Sequence, residues 1–362
     1  MIVGVVLVAA LAMESISSGR YSITPGTSTP VEPLITVSGV GTNPTPGKKI
    51  LFTDVYLQAL SDFGLFLTHF QRHIQVVPAS ALETPGAAAS ELTNQGYLEM
   101  YGAKQAAEVA AFRALGWRVP ATRVGATVNA VGASSDASRA GLAVGDIISG
   151  YDGSPVRSSC DLFAETQKTP AGTTVTLQVE KVTISASGTF HYAAVSDVSV
   201  TTFALSKGTT INSGCPGLSN RFDSVIAIET QDAYRYRLPA VVRVNTATIG
   251  GPSAGLAMTL AIINQLSRGS LTGDHVVAAT GTISPDGQVG AVGGVEEKAV
   301  AVHRAGATYF LVPEGGGNVN AAKAADQPNL TILPVRSLAQ ALADLKRIGG
   351  SNPTPVTAPP DS

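Results

Sequence analysis

The length, composition and charge of the chain restrict the classes of protein to which it can belong. Its 362 residues, 44% of them hydrophobic, are enough for two domains with separate cores. A formal net charge of −2 at pH 7 provides no basic surface, so no nucleic-acid partner is expected. Charged residues make up only 14%, whereas there are 38 glycines and 21 prolines, which indicates many turns and strands.

An uninterrupted apolar run, residues 2–13, opens the chain and is followed by Glu14. As a helix it reaches about 18 Å, short of the roughly 30 Å hydrocarbon layer of a bilayer. A buried strand or helix is one interpretation. We favour a truncated or misassigned signal anchor, because residues 15–33 are rich in Ser, Thr, Pro and Gly and are typical of a linker. Residues 1–33 are then a single-pass anchor to the cell membrane and its linker, with the globular part outside the cytoplasm.

The next region, residues 34–118, shows elements of structure but no chemistry. Residues 49–57 alternate as a strand does, and we expect this strand to join the sheet of the C-terminal domain. Residues 63–69 are apolar and aromatic; they predict a short helix or a surface for a partner or membrane, with packing in the core favoured. Residues 88–115 predict a helix that ends at Gly116.

Residues 119–205 follow a recognisable order of elements. Strands are predicted at 126–131 and 173–180, and a helix at 160–167. The central sequence AGLAVGDIISGYDG, residues 140–153, gives a turn, a second strand and a tight turn. This order is similar to the PDZ domain that bacterial envelope proteases carry, a small β-barrel or sandwich with helices.

The PDZ resemblance implies that the domain receives an extended peptide, often a C-terminus, as an added strand beside its helix. We place the groove at the segment from Val124 to Val128 and at Leu162 and Phe163 of the predicted helix. The alternative is a PDZ domain that only spaces an anchor from a catalytic domain.

No metal site or cofactor is predicted. The chain has neither a CxxC nor an HExxH motif, and its five histidines are scattered. Its two cysteines, Cys160 and Cys215, permit one disulfide in an exported protein, although sequence does not show that they are close.

A glycine-rich turn precedes a predicted helix in residues 250–263. Ser253 follows Gly250, Gly251 and Pro252 and opens a segment with apolar residues at helical spacing. The unpaired N–H groups of a helix start suit an oxyanion, and those of Ser253 and Gly251 are the candidates, since Pro252 cannot donate. Alternatively, Ser253 is only a helix cap.

A lysine occupies the apolar side of another predicted helix, residues 295–305. Val295, Ala299, Val302 and Ala305 define that side, and Lys298 lies between Val302 and Ala305. Glu296, Glu297, His303 and Arg304 lie on the other side. A lysine buried there has a lowered pKa, as a general base for serine requires. Alternatively, its stem crosses the core and its amine stays in water.

Three motifs in one order link these residues: GPSAG at 251–255, TGTISPDGQVGAVGG at 280–294 and EEKAVAVHRAGA at 296–307. They closely resemble the proteolytic domain of Lon-type serine proteases. The resemblance implies that Ser253 is the nucleophile, Lys298 the base and Thr280 a supporting residue. It also implies an α+β fold of the ribosomal S5 domain 2-like class for residues 206–348, followed by a disordered tail, 349–362. One departure is Gly250, where ATP-dependent Lon proteases have an acidic residue.

Together the two domains resemble bacterial membrane-anchored PDZ-Lon proteases. No GxxxxGK[ST] phosphate loop occurs, so we expect an ATP-independent endopeptidase that cleaves unfolded or PDZ-presented polypeptides. The family also implies a homo-oligomer. The main alternative is a non-catalytic scaffold, which predicts a damaged dyad. A phosphate-binding kinase loop is disfavoured for want of a catalytic acid, and a Ser-His-Asp protease for want of a recognisable triad.

Overall fold

The computed structural model describes residues 17–44, 49–81, 89–184, 190–205, 211, 214–219, 224–246 and 249–357. The apolar run at residues 2–13 lies outside these ranges. Within them, no helix combines the length and the apolar character needed to cross a bilayer.

The strands, in chain order, are β1 Ser17–Pro30, β2 Ile35–Ser38, β3 Ile50–Ser61, β4 Gln75–Pro78, β5 Ala121–Val131, β6 Ile147–Tyr151, β7 Ser154–Pro155, β8 Thr174–Glu180, β9 Val182–Ile184, β10 Phe190–Tyr192, β11 Ser196–Thr201, β12 Phe203–Ala204, β13 Ser224–Val225, β14 Ile228–Tyr236, β15 Val241–Val244, β16 Val277–Ala279, β17 Thr282–Ile283, β18 Val289–Gly290, β19 Tyr309–Pro313 and β20 Thr331–Val335.

The helices are α1 Asp62–Thr68, α2 Ala89–Ala114, α3 Asp136–Arg139, α4 Ser159–Lys168, α5 Gly255–Leu266, α6 Val295–Arg304, α7 Asn318–Ala324 and α8 Leu338–Arg347. Short 3-10 turns occur at Glu32–Leu34, Ala79–Ala81 and Pro252–Ala254. Mixed helices and strands of this kind confirm the predicted α+β class.

The chain forms two compact units. The first comprises Met1–Glu83, Glu99–Val119 and Leu238–Ser362, and the second Thr84–Leu98 and Pro120–Arg237. The second unit is therefore inserted in the sequence of the first, as the predicted strand at residues 49–57 requires.

A six-stranded mixed sheet forms the centre of the first unit, in the order β20-β19-β16-β3-β1-β4. β16 pairs in parallel with β19 on one side and with the start of β3 on the other. The sheet thus joins N-terminal and C-terminal parts of the sequence. Helix α6 packs Val295, Ala299 and Val302 into the core beside this sheet. This burial stabilises the helix that carries Lys298.

Two expectations for the ends of the first unit are wrong. The segment read as a linker contains β1, which pairs with β3 from Ser17↔Ser61 to Pro30↔Leu51 and absorbs its Pro-Gly step in a register shift. The tail read as disordered is held by backbone hydrogen bonds as far as residue 356, since Arg268 N donates to Thr354 O and Val356 N to Leu266 O.

The predicted helix at residues 63–69 is present as α1, but its expected burial is wrong. It contains no buried residue. Ser61 caps it by accepting the Gly64 N–H at 3.0 Å. Phe66 and Leu67 of the helix, and Phe70 just after it, are exposed instead.

The second unit contains the sheet β11-β8-β6-β5-β14, with β7 paired to β6. Alternating inward residues of β8, Val175, Leu177 and Val179, build its core, as the sequence pattern predicts. β14 pairs with β5 over nearly its whole length. A boundary between residues 205 and 206 is therefore wrong, because β14 belongs to this sheet and the unit extends to Arg237.

A disulfide joins Cys160, in α4, to Cys215. It ties the connection between β12 and β13 to the helix that packs against β14 and β5. The pairing that the sequence left open is therefore present, and it lies entirely within the second unit.

Candidate active site

The turn that carries Ser253 is fixed by backbone geometry. Gly251 has φ 88° and ψ 155°, a conformation that favours glycine, and Pro252 then begins the 3-10 turn that leads into α5. Neither the turn nor α5 has a side-chain cap. The reading of Ser253 as only a helix cap is therefore wrong, because its hydroxyl has another partner.

That partner is the amine of Lys298. The Lys298 Nζ lies 2.8 Å from the Ser253 Oγ, so the predicted nucleophile and base are in direct hydrogen-bond contact. Lys298 is only 3% exposed, which contradicts the alternative in which its amine reaches water.

Thr280 lies directly after β16 and is fully buried. Its Oγ1 lies 3.4 Å from Lys298 Nζ and 3.3 Å from the carbonyl oxygen of Ser253. One hydroxyl can thus accept from the amine and donate to the nucleophile's carbonyl. The predicted support by Thr280 has a geometric basis here.

Two backbone hydrogen bonds fix the nucleophile turn against the loop after Thr280. The Gly281 N–H donates to the Ser253 carbonyl at 2.9 Å, and the Leu256 N–H donates to the Gly281 carbonyl at 3.1 Å. The relative positions of Ser253 and Thr280 therefore depend on main-chain atoms rather than on mobile side chains.

Gly294 sets the start of helix α6 and hence the position of Lys298. It is the N-cap residue with φ 66°, and a Cβ there would lie 2.9 Å from Val55 Cγ1. Both its backbone conformation and the contact with β3 require glycine.

Burial lowers the pKa of Lys298 to about 8, whereas the negative charges of Asp54 and Glu297 act in the opposite direction. An amine with this pKa is partly neutral near pH 8 and can then accept the serine proton. Glu297 was expected on the polar side of its helix. It is instead 2% exposed, and burial raises the pKa of its carboxyl.

Asp54, on β3, is a residue that the sequence did not single out. Its carboxylate accepts hydrogen bonds from the N–H of Thr27 and, at 2.9 Å, from the Thr27 hydroxyl, opposite the register shift in β1. No sequence motif contains it, because its relation to Lys298 arises from the pairing of distant strands. The negative charge of Asp54 nevertheless offsets part of the decrease in the pKa of Lys298 that burial causes.

We expect Asp54→Asn to lower the pKa of Lys298, because a negative charge that stabilises the ammonium is removed. The acid limb of the pH profile of kcat/KM should then shift to lower pH. Thr27→Ala is the matched control, since it removes a hydrogen bond to Asp54 but keeps its charge. An equal shift in both variants would contradict an electrostatic effect.

The residues predicted to line a peptide groove in the second unit do not lie along a free edge of its sheet. Val128 and Leu162 are buried in the core, and Val124 and Phe163 are partly buried. The segment from Val124 to Val128 has no free edge, because β14 pairs with it on one side and β6 pairs with part of it on the other.

The free edge near α4 belongs to β14. Among the described residues no further strand pairs with β14, which ends the sheet. Asp232 of β14 accepts from the N–H and hydroxyl of Ser159 at the start of α4, at 3.0 and 2.9 Å. The sequence predicts a strand at residues 224–229, which overlaps the start of β14, but it assigns that strand to the C-terminal domain because it lies beyond residue 205.

A serine whose hydroxyl contacts a buried lysine, next to a helix start, defines a hydrolase site of the Ser-Lys type. Comparison with known proteins agrees with this class. Residues 242–345 match the Lon protease (S16) C-terminal proteolytic domain, and residues 113–183 match the PDZ domain.

Individual relatives match over short segments. The Lon protease of Clostridioides difficile is 50% identical over 64 residues, which are 18% of this chain and 8% of that protein. The Lon protease of Buchnera aphidicola is 37% identical over 93 residues, 25% of this chain and 12% of that protein. The chain therefore spans only about a tenth of the length of these relatives. The PDZ domain of the SdrC-like protein from Listeria monocytogenes is 19% identical with a TM-score of 0.22, covering 30% of this chain and 90% of that structure.

Proposed function

We propose that the protein is a serine endopeptidase that cleaves unfolded polypeptides without ATP. The observation that carries this proposal is the 2.8 Å contact between the Ser253 hydroxyl and a buried Lys298 amine. The neutral amine takes the proton of the Ser253 hydroxyl as its oxygen attacks the peptide carbonyl. The ammonium then protonates the leaving amine, and water hydrolyses the acyl-enzyme.

The oxyanion formed in this attack needs hydrogen-bond donors. Ser253 is the second residue of the 3-10 turn, and the N–H groups at the start of a helix have no carbonyl partner within the helix. This position supports its proposed role, and the contribution of the Gly251 N–H stays a prediction.

The test is nucleotide-free cleavage of a fluorescein-labelled unfolded protein by the purified full chain. The parent should cleave it, and Ser253→Ala should not. A peptide boronate should form an adduct with the parent and leave Ser253→Ala unmodified, which detects the nucleophile independently of turnover. Equal cleavage by Ser253→Ala would contradict the proposal. Binding of the unfolded protein without cleavage or adduct would favour the non-catalytic scaffold.

We further propose that the second unit takes an extended peptide on the free edge of β14, beside α4. The match to a PDZ domain and the open edge support this proposal. Of the predicted helix residues, the partly buried Phe163 would then flank the peptide, whereas Leu162 is part of the core and Val124 and Val128 would lie one strand further away.

Hydrogen exchange distinguishes the two edges of this sheet. A peptide with an apolar C-terminus should slow amide exchange in β14 and leave β11, the opposite edge, unchanged. The same peptide with an amidated C-terminus is the control for recognition of the carboxylate. Protection of β11, or of neither strand, would contradict binding at β14.

We propose that the globular part works outside the cytoplasm, anchored to the cell membrane by the apolar run at residues 2–13. The disulfide between Cys160 and Cys215 supports an oxidising compartment. Assembly into a homo-oligomer rests on the family resemblance and stays a prediction.

A further inference from the structure

Helix α1 and the turn that follows it present a cluster of apolar side chains to solvent. Phe66 is 53% exposed, Leu67 40% and Phe70 74%. Phe66 and Leu67 lie in the last turn of α1, and Phe70 lies in the turn that follows it, where its N–H donates to the Leu67 carbonyl. The rings of Phe66 and Phe70 meet edge to face at 5.4 Å. Isolated exposed apolar residues are ordinary, but a contiguous group at the end of one short helix indicates a surface that is covered by something.

The apolar run at residues 2–13 ends a few residues before β1, and the first residue of β1 lies beside the start of α1. Ser17, the first residue of β1, pairs with Ser61, which is the N-cap of α1. Only three residues separate Met13 from Ser17. Even fully extended, the four peptide steps from Met13 to Ser17 span at most about 14 Å. Paired residues in an antiparallel ladder add about 5 Å, so a bilayer that held the run would lie within about 19 Å of the start of α1.

The charges around α1 suit an anionic lipid surface. Arg72, just beyond the helix, and Arg20, which is in register with Leu60 on β3, are both exposed. Asp62 lies at the other end of the helix, in its first turn.

We propose that α1 is an interfacial membrane contact in which Phe66, Leu67 and Phe70 enter the outer part of the bilayer. Arg20 and Arg72 then lie at the level of the lipid headgroups. The contact rests on the proposed anchor. It gives the first unit a second point of attachment, which restricts its orientation at the membrane.

The experiment introduces a fluorescent probe in the turn that follows the helix. The chain has a single tryptophan, Trp117, which is 3% exposed and gives a constant background. Phe70→Trp is made in the full chain and mixed with vesicles of phosphatidylcholine and phosphatidylglycerol with brominated acyl chains. Val241→Trp is the matched control, because Val241 is an exposed apolar residue of the first unit on β15, outside α1.

The expected result is a blue shift and strong quenching of the emission added at position 70, with no change at position 241. Vesicle flotation of the same samples reports on the anchor separately, and cleavage of the unfolded protein reports on the active site. Flotation without quenching at position 70 would overturn the contact and leave the anchor in place. No flotation would overturn both, and cleavage would be unaffected. A lipid-independent blue shift that grows with protein concentration would identify a second copy as the occupant and also overturn the proposal.

Discussion

Lys298→Arg should lower kcat/KM for an unfolded polypeptide by about 10³-fold, in the range that a general base contributes. Arginine keeps the positive charge and a long stem, but its guanidinium does not lose a proton in proteins. It cannot accept the proton of the Ser253 hydroxyl. Lys298→Met should lose as much activity, since it preserves the apolar stem and lacks the amine.

The two variants separate catalysis from stability. Lys298 in the folded chain has a pKa of about 8, against 10.5 for an ordinary lysine, so the unfolded chain binds more protons at this residue between these values. The free energy of unfolding must then rise with pH across this interval, by about 3 kcal/mol for this residue. Lys298→Met should lack this rise and should be no less stable than the parent at pH 7, because a costly buried amine is removed.

Urea unfolding at pH 7 and pH 10, for the parent and for Lys298→Met, measures the difference directly. Other groups that titrate in the interval are common to both proteins and cancel in the comparison. If Lys298→Met were strongly destabilised at pH 7 and showed the parent's pH dependence, the lysine would be a structural residue. Retained cleavage by Lys298→Arg would exclude it as the base.

The dyad could be predicted from sequence because each half is encoded locally. Ser253 lies in a turn whose glycine and proline set its backbone, and Lys298 lies on the buried side of one amphipathic helix. Burial of that side brings the amine into the core, where the serine hydroxyl is available as a partner. The contact itself depends on the sheet that joins β3 to β16, which the strand at residues 49–57 indicated.

The errors fall where long-range pairing overrides local composition. β1 resembles a linker in its content of Ser, Thr and Pro, yet it gains a partner in β3 on one edge and β4 on the other. β14 has ordinary strand character, and nothing local shows that it adds to the sheet of the inserted unit. Glu297 lies on the polar side of its helix and is nevertheless buried. The sequence of one helix does not show which distant segments pack against it.

Replacing both Cys160 and Cys215 by serine should destabilise the second unit by about 4 kcal/mol. The two residues are separated by 55 positions, and closing a loop of that length removes a corresponding amount of entropy from the unfolded chain. The loss should appear in native-state hydrogen exchange as weaker protection of β5 and β8, while α5 and α6 of the first unit keep theirs. Reduction of the parent by dithiothreitol should reproduce the effect, and the double variant should not respond to it. Unchanged protection in β5 and β8 would mean that the core alone stabilises the reduced unit, and the disulfide would then act on the β12–β13 connection alone.

The redox state of the two cysteines also tests the proposed compartment. Protein isolated from its own cells under alkylation should have both thiols blocked to the reagent if it folds outside the cytoplasm, and both modified if it stays inside.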